Sequence, residues 1–205
     1  RFTTRGLQFD ATFGKTGDRT ARVRFSVDSA EMAAGRIEAL AASLDGTPDL
    51  HAISASATIN GSQRARLALK GGARDMETTP SWVGEVTQFL LTPVENAVNA
   101  TPIVTLAAPT PLSVTTGAFN AGPLALRGAG WNANVRQIAY KAGLWTSRGE
   151  LRKLPVNLFV DAPLTTLTIG GDWDLTFGEH LRGRAQLARE DGDIIIANDD
   201  VFDSN

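Results

Sequence analysis

The chain has 205 residues, 42% of them apolar, and its 20 Lys and Arg against 22 Asp and Glu leave a net charge of −2. That balance fits a folded, nearly neutral protein; it argues against a nucleic-acid binder, which needs a clear positive excess, and against a disordered chain. The absence of cysteine excludes disulfide scaffolds and Cys-based metal or thiol chemistry, and His51 and His180 are too few for a His-rich metal site.

Along the chain the dominant pattern is period-two alternation, the mark of half-buried strands. It first predicts a strand with Ala21, Val23, Phe25 and Val27 on one side and Arg22, Arg24 and Ser26 on the other. A helix is predicted next, over about 29–44. Asp28 or Ser29 can cap it, Asp28 with Glu31 has capping-box spacing, and Gly46 suits its end. Ala33, Ile37, Leu40, Ala41 and Leu44 supply its apolar stripe.

Ile53, Ala55, Ala57 and Ile59 then alternate with Ser54, Ser56 and Thr58, and Asn60-Gly61 marks a hairpin turn because both residues accept positive φ. Ala65, Leu67 and Leu69 alternate with Arg64, Arg66 and Lys70 on the returning strand. Ser81–Leu91 fits a helix or a strand by spacing, and its setting between turns favours a strand. Further strands are expected at Ile103–Leu106, Pro111–Thr115, Leu124–Leu126, Ala133–Ala139, Leu154–Val160, Arg182–Arg189 and Asp193–Ile196. The clearest alternation is late: Leu167, Ile169, Gly171, Trp173, Leu175 and Phe177 share one face, with a kink or bulge expected at Gly170-Gly171.

The connections are short turns rich in Gly, Pro, Asn and Asp, so an antiparallel meander is expected, mainly β, with one capping helix and no second domain in residues 1–205. The apolar face of such a meander closes into a barrel, packs on a second sheet, or curls into a trough. No apolar run reaches the length of about 18 residues that a spanning helix needs. The chain begins at Arg1 with no leader pattern, which reads as a piece of a longer protein.

Several segments together resemble one family. Trp82-Val83-Gly84-Glu85-Val86 resembles the W-x-G-x-[VL] start of a repeat in TamB-type proteins, the AsmA-like subunits of the translocation and assembly module. Pro109 to Val114 and Leu124 to Gly128 are similar to its next strands, Gly143 to Leu151 to its G-x-W motif and Leu154-Pro155-Val156 to that motif's ending, in order. Leu167 to Leu175 resembles its G-x-W-D strand, and Leu181-Arg182-Gly183 with Ala188 to Ile194 its closing one. Upstream, Leu44 to Pro48 with His51 also fit, so the resemblance spans residues 44–196.

The resemblance implies a curled β-sheet of taco or trough shape with an apolar interior. It implies a periplasmic segment of a protein anchored in the inner membrane, acting in phospholipid transport and outer-membrane biogenesis. The implied partners are phospholipid acyl chains, an outer-membrane barrel of the TamA type engaged by regions outside this segment, and outer-membrane protein clients. Neither catalysis nor a cofactor is implied.

Within that expectation the groove lining is Val23, Phe25, Val27, Ile53, Leu67, Leu69, Leu112, Val114, Leu167, Ile169, Leu175 and Phe177. A closed, ordinary core is the competing reading of the same residues. Ala55, Ala57 and Ala65 would leave room inside. Trp82, Trp131, Trp145 and Trp173 suit a groove mouth or the closed end of a core. The acidic groups Asp172/Asp174, Glu190/Asp191/Asp193 and Asp199/Asp200 lack calcium-loop spacing and read as solvated turns and faces. The arginines at 22, 24, 64, 66, 182 and 184 are expected on the outer face. No nucleophile elbow, phosphate loop or dinucleotide fingerprint occurs, so an enzyme is not expected. Two alternatives to lipid carriage remain: an assembly module that binds client β-strands, and a structural spacer.

Overall fold

The computed structural model describes residues 3–14, 19–32, 35–94, 101–158 and 166–192. They form one antiparallel sheet, and the sole helical element among them is a single 3-10 turn. The first strands are β1 (Thr3–Arg5), β2 (Gln8–Phe13), β3 (Ala21–Met32), β4 (Gly35–Thr47), β5 (Leu50–Ile59), β6 (Gln63–Arg74) and β7 (Ser81–Pro93). The short β8 (Val104–Leu106), β9 (Thr110–Thr115), β10 (Ala118–Ala121) and β11 (Leu124–Arg127) follow. Last come β12 (Asn132–Lys141), β13 (Leu144–Pro155), the 3-10 turn Val156–Leu158, β14 (Thr168–Phe177) and β15 (Leu181–Asp191).

From β3 to β7 each strand pairs with the next, as expected where alternating segments are joined by short turns. The sheet then divides. The first half of β7 pairs with β9 and its second half with β8. The two branches rejoin on β12, β10 along its C-terminal half and β11 along its N-terminal half. From β12 to β15 the meander resumes. At the opposite edge β1 and β2 share the outer side of β3.

The predicted helix over 29–44 is not formed. Its residues, as far as they are described, lie in the β3–β4 hairpin, where Glu31 pairs with Arg36 and Met32 with Gly35; Ala33 is outside the described residues. The sequence misleads because of a β-bulge. Ala39, with φ of 49°, is an extra residue in β4, so Ile37 and Leu44, seven apart, pair with Ile59 and Ile53, six apart. One inserted residue turns a period of two into spacings of three and four, the signature of a helix. Gly35, with φ of 140°, also opposes helix.

Ser81–Leu91 is strand, within β7, and Asn60 and Gly61 turn the β5–β6 hairpin with φ of 49° and 66°. The strand expected over Leu154–Val160 ends at Pro155 and passes into the 3-10 turn; residues 159 and 160 and the expected strand Asp193–Ile196 lie outside the described residues. Gly170 and Gly171 pair regularly with Ala188 and Leu187; the register slip falls just before them, between Thr168 and Ile169. β1, β2 and β10 have no counterpart among the expected strands, and neither has β13 before Leu154, its first ten residues.

The strands make their main contacts with neighbours in the sheet, so burial is shallow. Among the described residues the buried apolar side chains are Val27, Ala30, Trp131, Ala133, Val135 and Leu154. Trp131, Ala133 and Leu154 form one cluster, backed by Val104, Leu126, Leu151 and Ile169, where β8 and β11 meet β12, β13 and β14.

Candidate functional site

In an antiparallel sheet directly paired residues share a face, so the register assembles rows that cross many strands. One row runs Phe9, Phe25, Ala42, Ala55, Leu67, Phe89 across β2 to β7. Beside it runs Ala11, Val23, Leu44, Ile53, Leu69, Val86. A third, aromatic row starts at Trp82 on β7 and crosses Val114, Phe119, Tyr140, Trp145 and Phe177 to reach β14. All three rows lie on one face of the sheet.

Bulges keep that face continuous. Thr87 is an extra residue in β7 and Arg136 in β12, and β13 carries another between Leu151 and Leu154. Each re-aims the rest of its strand, so apolar residues that alternation alone would send to the other side stay in the row.

Eleven of the twelve expected groove residues fall on this face by register. Val23, Ile53 and Leu69 share a row, Phe25 and Leu67 the next, and Val27 pairs with Leu40. Leu112 pairs with Gly84 and Ala121, and Val114 with Trp82 and Phe119. Ile169 pairs with Leu154, Leu175 with Ser147, and Phe177 with Trp145. Leu167 lies just before β14, its carbonyl accepting a hydrogen bond from Val156 N at 3.0 Å.

The degree of cover varies along the face. Val27 is buried, whereas Phe9, Phe177 and Leu187 are 66%, 55% and 70% exposed. An open concavity of about 580 Å³ spans β2 to β7 on the opposite, polar side: eleven of its sixteen lining residues, Asp10, Arg24, Ser43, Ser54, Arg66 and Gln88 among them, fall in polar rows, and Phe25 and Leu67, with Phe9, Ala42 and Ala55, come from the apolar row between them. The other ten expected residues do not line it.

The tryptophans divide by role. Trp131 closes the buried cluster. Trp82 and Trp173 lie flat on glycines of their own or the next strand: a Cβ on Gly71 or Gly84 would come within 2.6 and 2.5 Å of the Trp82 ring, and one on Gly149 within 2.5 Å of the Trp173 ring. Glycine leaves a gap in the pleated surface and the indole fills it, which gives a physical reason for the Trp-x-Gly spacing of Trp82 and Gly84. Each indole N–H has a partner, Trp82 Nε1 donating to His51 Nε2 at 2.8 Å and Trp173 Nε1 to Ser147 Oγ at 2.9 Å. Trp145 stays 46% exposed against Tyr140, with ring centroids 5.0 Å apart.

The opposite face is polar. Arg22, Arg24, Arg64, Arg66, Arg182 and Arg184 all fall on it by register, as expected. Arg22 Nε donates to Asp45 Oδ1 at 2.6 Å, and this bond together with the Asp45 charge raises the arginine's pKa. Arg148 pairs with Asp174 at 2.7 Å. Both pairs are exposed, and such pairs stabilise little. No group of three or more metal-ligating side chains occurs among the described residues, and no helix among them is long and apolar enough to cross a membrane.

Where the sheet divides, Thr110 is the most buried polar residue, 1% exposed, and its Oγ1 donates to the Pro123 carbonyl at 3.1 Å. Thr110→Val keeps the shape and removes the donor. A loss of about 1–2 kcal/mol is expected, read as a lower urea midpoint with an unchanged slope.

No family model, no curated protein and no solved structure matches the chain. Sequence reasoning missed Phe9, because β2 shows too little alternation, and it missed the aromatic row, because Phe119, Tyr140 and Trp145 come from three separate strands. The His51–Trp82 contact has no local signal, since 31 residues separate its members.

Proposed function

We propose that this chain is a noncatalytic segment of a TamB-like periplasmic envelope protein, and that its apolar sheet face, curled into a trough, carries phospholipid acyl chains between inner and outer membranes. The observation that supports this reading is the continuity of the apolar rows from β2 to β14, with the arginines and carboxylates paired across β2 to β7 on the other side. An acyl chain gains about 0.8 kcal/mol for each CH₂ removed from water, and it needs an unbroken apolar surface rather than a pocket of set shape. Head groups stay in water along the open side. A face of uniform affinity favours neither direction, so net transport would be set by the parts of the protein that adjoin the two membranes.

Photocross-linking in cells, in the full-length protein, tests the proposal. The probe is placed at Ile53, flanked by Leu44 and Leu69 on the apolar face, and at Ala52, flanked by Asp45 and Lys70 on the polar one. Phospholipid captured at Ile53 and absent at Ala52 is the expected result. Cross-links from Ile53 to neighbouring strands alone, with no lipid, would sink it.

One observation favours a second reading, assembly of outer-membrane protein clients. Every residue of β15 is exposed, and among the described residues its outer edge has no pairing strand. Such an edge is a template for an incoming β-strand. Client protein captured by a probe at Ala185, on that edge, with no lipid at Ile53, would replace the lipid reading with this one.

A further inference from the structure

His51 on β5 and Trp82 on β7 meet across β6 over Gly71, which pairs with His51 on one side and Gly84 on the other. An indole N–H is a donor only, so the 2.8 Å contact makes His51 Nε2 the acceptor. The other ring nitrogen, Nδ1, lies 3.0 Å from the Thr47 carbonyl, which only accepts, so Nδ1 carries the proton. These two partners together require the neutral imidazole. A protonated ring has N–H on both nitrogens and would set one donor against another at Trp82.

We propose that His51 and Trp82 form a proton-operated latch on the apolar face: neutral His51 holds the indole down over Gly71 and Gly84, and protonation releases it. The charged groups around the pair do not replace the lost bond. Asp49, in the β4–β5 turn, is engaged by Arg19 at 3.3 Å, and its carbonyl accepts from Arg74 Nη1 at 2.9 Å. Asp45 on β4, Lys70 on β6 and Glu85 on β7 share a row with Ala52 on the opposite face. β9, beyond β7, has no charged residue. No carboxylate on the latch's own face is therefore placed to accept the new N–H and hold the ring where it is. Release uncovers the backbone of Gly71 and Gly84, the two positions on which the indole rests. The latch rests on hydrogen-bond chemistry alone and is independent of what the face carries.

The test follows the indole N–H resonances of the whole chain by NMR between pH 7.5 and 4.5, with Trp82→Phe to assign the signal. The Trp82 resonance is expected to move upfield as its hydrogen bond is lost, in step with titration of the His51 ring. The Trp173 resonance, bonded to a serine that does not titrate, is the internal reference and is expected to stay. In His51→Gln the Trp82 response is expected to vanish, although His180 is still present. A Trp82 signal that holds its position across the range overturns the latch, whether or not the imidazole charges. A response that persists in His51→Gln overturns it as well. If that variant does not fold, the wild-type titration alone decides, because the Trp82 and His51 midpoints must coincide.

Discussion

Trp131→Ala is expected to cost about 3–5 kcal/mol, the range for deleting a buried aromatic side chain. The indole is 8% exposed and packs with Ala133 and Leu154, and Val104, Leu126, Leu151 and Ile169 close around them. Its backbone is also committed, since Gly128 N donates to the Trp131 carbonyl at 3.0 Å. Elsewhere the sheet is a single layer with half-covered side chains, so it has few other places to bury area. Domains are stable by only about 5–15 kcal/mol, and the variant would lose a large share of that. Urea denaturation followed by circular dichroism reads the effect as a lower midpoint. A change under about 1 kcal/mol would show that the stability resides elsewhere than this cluster.

Gly71→Ala is the second large effect, expected at about 1–3 kcal/mol by overpacking. The added Cβ would meet the Val83 carbonyl oxygen at 2.5 Å, Trp82 Cζ2 at 2.6 Å and Gly84 Cα at 2.7 Å. Two of those three obstacles are backbone atoms of the paired strand, so moving the indole does not relieve them. In a Trp82→Ala background the same substitution is therefore expected to keep most of its cost. An unchanged urea midpoint for Gly71→Ala would show that β6 and β7 are less closely apposed than the register implies. The position also separates the two roles of the glycine-tryptophan pairing, close approach of the strands and room for the ring.

Strand formation was legible because alternation is local. Ile53–Ile59 and the Asn60-Gly61 turn needed no information beyond a few neighbours, the strand around Trp82 was ambiguous by spacing and settled by its flanking turns, and each is present. The helix was misread for the same reason. A single extra residue at Ala39 gave Ile37, Leu40 and Leu44 a helical spacing that only their pairing with β5 resolves. β1, β2 and β10 escaped notice because they are short, six residues at most, and gain their order from a longer neighbour.

For the candidate site, the sequence by itself determined which residues of a strand point together. It excluded cysteine chemistry, and it separated arginines from apolar side chains. What only the tertiary structure decided is how those separate faces join. Each bulge inverts the facing of everything after it in its strand, and the pairing partner, not the local sequence, tells where that inversion falls. The same holds for His51, whose ring is oriented by a tryptophan that comes to lie beside it from two strands away. Side-chain direction is set within a strand, whereas continuity and contact are set between strands, by hydrogen-bond register over distances that no local pattern spans.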